Sequence, residues 1–376
     1  MRIARIVVER LVLPLDPPFV ASWDPRPRDR FGATVVRIET TDGLVGVGGG
    51  DSLHGVEPYL GHLIGTDPLR IEQQVRRLES IDFHAGRPWP LEAALWDLIG
   101  KVQGQPAWRL FGGVSDKVTA YASLGARRDP DALAATAEQV RSEGYGACKL
   151  RVDAHAPDDA IAQVAAVRAA VGGDLALMVD LNQAWRMAGD AAPSIDVAAA
   201  RRLAAAFREF DVTWMEEPLP ASDHAGLRAL RADGHVRIAG GELTRGFDDA
   251  LADVLDDRYD VHQPDVVLSG LWRGRTIAEL ALRRGRWYTP HTWTDGIGLL
   301  ANLHVCAGAG GGPYLEFPYD PDGWTPQRRD FMLASPVTTS DGDVVASDRP
   351  GLGIVLDEDT VAATRVEHIE VRDQVS

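Results

Sequence analysis

Cysteine is nearly absent from this chain, and the scarcity removes whole classes of chemistry. Only Cys148 and Cys306 occur, far apart and in apolar context, which reads as two reduced core thiols of a cytoplasmic protein. No activating pattern surrounds either one, so a cysteine nucleophile is not expected. Basic charge is also short. Against 55 Asp and Glu there are 39 Lys and Arg, a net charge of −16. Nucleic acid and anionic membrane surfaces need a basic footprint, so neither is an expected partner, and an acidic substrate has to be captured locally. No apolar run approaches the roughly 20 residues of a membrane span. The opening MRIARIVVERLVLPL alternates like a strand and carries no signal-peptide cleavage region. No low-complexity linker or tandem repeat is evident.

What is present suffices for a large core. A chain of 376 residues with 45% hydrophobic and 25% charged residues suits two domains, one of them as large as a barrel. Residues 1–118 carry the signals of an α+β unit. IARIVVERLVL and ATVVRIETTDGLVGVG alternate with period 2, and Asp42-Gly43 marks a hairpin turn inside the second. Leu91, Ala94, Leu95, Leu98, Ile99 and Val102 share one helical face, stopped by Gly104 and Pro106. Beyond residue 118 short apolar runs at 118–124, 147–152, 175–181, 212–216, 237–242, 261–268, 287–290 and 314–317 alternate with Ala-rich amphipathic stretches. Eight strands with helices between them predict a parallel (β/α) barrel over 119–349, capped by 1–118 together with a tail from about 350 to 376.

Asp180, Glu216 and Glu242 each end an apolar run, 36 and 26 residues apart, the spacing of neighbouring strand ends in a repeating βα unit. Barrel enzymes place their chemistry at the C-terminal ends of the strands. Three hard oxygen donors there suit Mg²⁺, which would keep open positions for a substrate carboxylate and a neighbouring hydroxyl. Lys149 and Arg151 end an earlier run, and Asp265, His291 and Glu316 end later ones.

Taken together, K-x-R at 149–151, D-x-N at 180–182, E-E-P at 216–218, G-E at 241–242, Q-P-D at 263–265, P-H-T at 290–292 and L-E-F at 315–317 resemble the enolase superfamily, in its mandelate racemase-like branch. ALWDLIGK at 94–101 and LFGG at 110–113 are similar to that family's passage from cap to barrel, so the likeness covers nearly the whole chain. It implies a modified TIM-type barrel with an α+β capping domain. Asp180, Glu216 and Glu242 would hold Mg²⁺, Lys149 would neutralise the oxyanion formed when an α-proton leaves, and Asp265–His291 would be the His–Asp dyad that removes it. Glu316 would hydrogen-bond a substrate carboxylate oxygen, ideally as the neutral acid. The resemblance also implies self-association and a small carboxylate as substrate.

Arg151 departs from the racemase pattern, in which a lysine at that position serves as a second base. An arginine stays protonated and makes a carboxylate fork rather than a proton acceptor. One base on one side fits β-elimination, as in the family's acid-sugar dehydratases, and gives a 2-keto-3-deoxy acid from an aldonate or aldarate. Racemisation, epimerisation or cycloisomerisation on the same platform is the alternative, with Lys149 as a base if a lysine mechanism operates. A metal-binding scaffold without catalysis is a third reading. Lid loops at 17–31 and 47–55 and the segment after Asp180 offer Trp23, Arg26, Arg28, His54, Asn182, Trp185 and Arg186 as substrate contacts.

Overall fold

A computed structural model describes residues 1–50, 52–187 and 189–372. Asp51 in the second expected lid loop, Ala188, and the last four residues of the tail lie outside the described residues. Strands β1 (Ile3–Phe19), β2 (Arg28–Thr40) and β3 (Val45–Gly49) form an antiparallel sheet, and a C-terminal strand, Arg365–Arg372, pairs with β1 on its other edge. The Asp42-Gly43 hairpin forms as expected. Gly43 takes a φ of 81° that suits glycine, and Thr40 and Leu44 close the turn.

Helices α1 (Ile71–Ala85) and α2 (Trp89–Gln103) pack on this sheet. The periodicity of α2 predicts one buried face, yet Glu92, Ala93, Trp96 and Asp97 on the other side are buried too. Both sides are covered because the helix is sandwiched between the cap sheet and the barrel. Its two acids are fully paired, as buried carboxylates must be. Glu92 accepts from the backbone N–H groups of Leu271 (3.0 Å) and Trp272 (2.8 Å) and from Trp96 Nε1 (3.1 Å). Asp97 accepts from Val47 N (2.8 Å) and Leu352 N (2.9 Å) and faces Lys101 at 2.6 Å.

Gly48 and Gly50, within the lid loop expected at 47–55, sit where other chain segments pack closely against them. A β-carbon on Gly48 would overlap the Pro90 carbonyl and the Ala94 amide, and one on Gly50 would meet Val267. Gly48→Ala is therefore expected to destabilise the protein by about 3 kcal/mol, the upper range for overpacking, read as a lowered urea midpoint with an unchanged slope.

The barrel strands are β4 (Lys117–Ser123), β5 (Ala147–Arg151), β6 (Ala176–Asp180), β7 (Val212–Glu216), β8 (Arg237–Gly240), β9 (Val261–His262), β10 (Trp287–Tyr288) and β11 (Leu315–Pro318). Strands β4 to β10 pair in parallel in that order, and β11 pairs with β4. The helices between them begin where short side chains satisfy the first N–H groups. Asp129, Asp196, Asp223 and Asp295 cap four of them, a contribution of about 1 kcal/mol each.

Two strands are shorter than their apolar runs predict. In β9 the ladder stops before Pro264, and in β10 before Pro290, because proline has no N–H to give it. Past Pro264 the chain turns at once into a short helix, Val266–Ser269, capped by the Asp265 side chain. No helix among the described residues is long and apolar enough to cross a membrane.

Candidate active site

Strand alternation decides which side chains enter the barrel. In β5, Cys148 and Leu150 join the core shared with the outer helices, while Ala147 joins the interior cluster of Tyr121, Met178 and Trp214. Lys149 and Arg151 share the parity of Ala147, Asp180 that of Met178, and Glu216 that of Trp214. Register then sets their height. Arg151 pairs with Asp180, and Asp180 with Glu216, at the last rung of each ladder. Glu242 lies two residues beyond the end of β8 and is turned inward after Gly241, whose φ is 94°. Asn182 and Glu217 hold φ values of 46° and 45°, so backbone strain sits within two residues of two of the acids.

One oxygen from each of Asp180, Glu216 and Glu242 lies within 4.8 Å of the others, all buried. Three anionic oxygens this close, without a dication, repel one another. The Glu242 Oε2 atom is buried with no hydrogen-bond partner, while its Oε1 accepts from Trp185 Nε1 at 3.0 Å. A hard cation would satisfy that orphaned oxygen, and the all-carboxylate donor set fits Mg²⁺. Glu216 is oriented from behind by Trp214 Nε1 (3.0 Å) and Gln263 Nε2 (2.8 Å), and Asp180 by Asn182 N (2.8 Å), a supporting shell of the kind metal carboxylates need. Burial pushes the Glu216 carboxyl up to about 7 despite the pull of Lys149. Glu217, the other acid of the E-E-P motif, points instead into a neighbouring hollow of 460 Å³.

Lys149 lies beneath this floor with no exposed surface. It contacts Glu216, Glu316 Oε1 at 2.7 Å and Asp180 Oδ2 at 3.7 Å. Burial works against its charge, but Glu216 and Glu316 outweigh it and hold the ammonium well above its ordinary pKa. In this geometry Lys149 stands as a positive charge among three carboxylates. Glu316 departs from the neutral acid the resemblance suggests. Burial would raise its pKa, yet Lys149, His291 and Arg151 hold it at about 2. The carboxylate accepts from Ser123 Oγ (2.7 Å), Lys149 and Thr292 N (2.7 Å), so it anchors Lys149 and the His291 turn and has no proton to donate.

His291 Nδ1 is 3.0 Å from Asp265 Oδ2, while Asp265 Oδ1 accepts from Val267 N (3.0 Å) and Asn302 Nδ2 (2.8 Å). With Asp265 so fixed, Nδ1 donates and Nε2 faces the cavity, 3.9 Å from Glu242 Oε2. Burial opposes protonation of His291, but Glu242, Glu316 and the Asp265 hydrogen bond outweigh it and raise its pKa to about 9. Mg²⁺ on the triad would cancel the Glu242 charge. The His291 pKa, followed by histidine NMR, is therefore expected to fall by at least about one unit on saturation with Mg²⁺. An unchanged titration would mean that the triad holds no cation.

A cavity of 190 Å³ opens above these groups, with Arg151, Asn182, Glu242 and His291 at its base. Trp23, Trp185, Leu243 and Trp293 complete its lining. Arg151 pairs with Asp180, donates to Leu124 O (2.9 Å) and Asn182 Oδ1 (3.2 Å), and lies under Trp23, 4.8 Å from its ring centre. Of the other expected contacts, Arg28 is paired with Asp24 at 2.7 Å and lines a separate hollow beside Trp293. Arg26 and His54 are exposed, and Arg186 is exposed and pairs with Asp190 at 3.4 Å. These three do not line the cavity.

Trp293, Trp214 and Ser123 escape a reading by motif, since tryptophans and short polar residues beside strands look like packing, whereas Gln263 opens the Q-P-D motif. The signal for Trp293 is its place two residues after His291.

Residues 132–360 match the family described as enolase C-terminal domain-like, and residues 5–112 match the mandelate racemase / muconate lactonizing enzyme N-terminal domain. The chain belongs to the enolase superfamily. Among its superfamily relatives, a D-galactarolactone cycloisomerase from Agrobacterium fabrum is 30% identical, over 97% of this chain and 99% of that protein. An L-talarate/galactarate dehydratase from Salmonella typhimurium is 28% identical over 93% and 86%. The structure of L-talarate dehydratase from Polaromonas sp. JS666, complexed with Mg and L-glucarate, superposes with a TM-score of 0.81 at 27% identity, covering 99% of both chains. The protein is thus an enolase-superfamily enzyme with dehydratases and isomerases among its relatives, and its acidic triad is consistent with Mg²⁺.

Proposed function

We propose that this enzyme is a Mg²⁺-dependent dehydratase of a sugar acid. The observation that supports the reading is that, among the described residues, one imidazole nitrogen faces the cavity. His291 Nε2 faces the cavity, while Lys149 is a buried ammonium and Arg151 a paired guanidinium. Asp180, Glu216 and Glu242 would hold the Mg²⁺, which when bound supplies positive charge for the substrate carboxylate. Arg151 and Lys149 add fixed positive charge on the same side, where negative charge develops as the proton leaves.

The steps assigned to His291 balance without a co-reactant. Nε2 takes the α-proton, the C–H electrons form a double bond, and the β C–O bond breaks. The imidazolium returns its proton to the departing oxygen, and water leaves. The enol left behind tautomerises to a 2-keto-3-deoxy acid. Asp265 keeps the ring in the tautomer that both steps need.

The Agrobacterium relative favours a second reading, in which the departing oxygen belongs to a lactone or anhydro ring and the step is a cycloisomerisation.

A library of aldonic and aldaric acids in D₂O with Mg²⁺ tests both. The expected outcome is a keto acid without deuterium at the α-carbon of recovered substrate. Epimerised, α-deuterated substrate without keto acid would sink the proposal. Arg151→Lys is expected to gain the α-exchange that the parent lacks, because it restores a titratable amine on the face opposite His291.

A further inference from the structure

The polarity of the cavity is uneven, and the unevenness bears on which sugar acid fits. Every charged group that lines it sits at its base with the metal triad and the dyad. The rest of the lining is Trp23, Trp185, Trp293 and Leu243. Resting on the dehydratase reading above, we propose that the substrate is a monocarboxylate, an aldonate whose far end presents C–H surface to these tryptophans, and not a dicarboxylate aldarate.

Two observations support this, and a third bounds the length of the acid. The first is the commitment of the cations. Arg151, the cation lining the cavity among the described residues, is held by Asp180, Leu124 O and Asn182 beneath the Trp23 ring. It stands at the base of the cavity, beside the triad acid Asp180. Arg28 is paired with Asp24 on the other side of Trp293, and Arg26 and Arg186 lie outside the lining. A second carboxylate against the tryptophans would lose its water and gain no ion pair, which is the costly case for a buried charge.

The second observation is that the aromatic wall is fixed. Trp185 donates to Glu242 Oε1 at 3.0 Å and Trp293 to Ser123 Oγ at 2.9 Å. Trp23 meets Trp293 edge-on at 4.6 Å, and Trp293 stacks on Phe19 and Trp324. The hollow beside Glu217, which holds His224 and Arg245, lies behind Trp185 and Leu243. To reach Arg245 there, a substrate would have to break the Trp185 hydrogen bond to Glu242.

Size is the third. At 190 Å³ the space is below the roughly 300–1,000 Å³ of sites for drug-sized ligands. Size restricts the acid to a short one without choosing between one charged end and two, and the tryptophan faces suit the C–H face of a sugar acid.

The test uses the Mg²⁺-loaded enzyme and three acids of one configuration: the six-carbon aldonate, its 6-deoxy analogue and the aldarate. Keto-acid formation gives kcat/KM, and quenching of tryptophan fluorescence gives Kd. The 6-deoxy acid is expected to match or exceed the aldonate, and the aldarate to fall at least about 100-fold below both in kcat/KM. Trp23→Arg should narrow that gap at least tenfold by supplying the missing cation. An aldarate within tenfold of the aldonate in the parent enzyme would overturn the proposal. If no acid yields keto acid, the dehydratase reading fails. The binding series then still decides the substrate class: tighter binding of the aldonate or its 6-deoxy analogue upholds the monocarboxylate, and tighter binding of the aldarate overturns it.

Discussion

Replacing His291 with asparagine is expected to lower kcat for keto-acid formation by about 10³-fold or more, within or above the 10²–10⁴ that one positioned acid–base group contributes. The upper part of that range applies because the same imidazole is asked to act twice, first as base and then as acid. Asparagine can still donate to Asp265 Oδ2, so the turn at Pro290–Thr292 keeps its shape and the substrate Kd should move little. Like the parent, the variant should show no α-proton exchange in D₂O, since among the described residues no lysine or second histidine lines the cavity. A variant that still forms keto acid at near the parent's rate would assign the base to another residue and remove the ground for a one-base elimination. Asp265→Asn should give a smaller loss with a displaced pH profile. The active form is neutral His291, so kcat/KM rises with pH through its pKa, and loss of the Asp265 carboxylate lets that limb move to lower pH.

The barrel was legible because its periodicity is the same physics that builds it. The runs at 147–152, 175–181 and 212–216 end within one residue of strands that close on Arg151, Asp180 and Glu216, and these side chains have the inward parity of Ala147, Met178 and Trp214. The helices were legible from their Ala-rich amphipathic stretches. The proline-broken strands were overcalled, since an apolar run continues past Pro264 while the ladder cannot.

The loops were less legible. Arg26, His54 and Arg186 are polar residues in segments of the right position, but no periodicity encodes which way a loop side chain turns, and these three turn outward. Trp23 and Trp185, expected as contacts, do line the cavity, and Trp293 joins them; a tryptophan's bulk looks the same in a sequence whether it fills a core or walls a site. The charge state of Glu316 was also beyond reach of motif reasoning. It depends on Lys149, His291 and Arg151 arriving together from other strands.

Glu242→Gln should move stability and activity in opposite directions, and the metal triad makes the sign of each effect specific. In the metal-free protein Glu242 is a buried carboxylate beside Asp180 and Glu216, with one oxygen lacking any hydrogen-bond partner. Neutralising it relieves repulsion among the three acids while an amide oxygen can still accept from Trp185. The metal-free variant should therefore unfold at a higher temperature than the metal-free parent. With Mg²⁺ present the order reverses. The parent gains RT ln(1 + [Mg²⁺]/Kd), about 2.7 kcal/mol at a hundredfold excess over Kd, whereas the variant, with one anionic donor gone, gains little. Its kcat should fall on the order of 10³-fold or more, because the several kcal/mol of charge stabilisation that a bound dication supplies is lost at about 1.4 kcal/mol per tenfold. Paired melting curves with and without Mg²⁺, run beside the activity assay, read all three effects at once. A variant that is destabilised without Mg²⁺ would show that Glu242 serves the fold and not the ion. One that keeps the parent's Mg²⁺-dependent stabilisation would remove Glu242 from the ligand set and leave Asp180 and Glu216 to hold the metal.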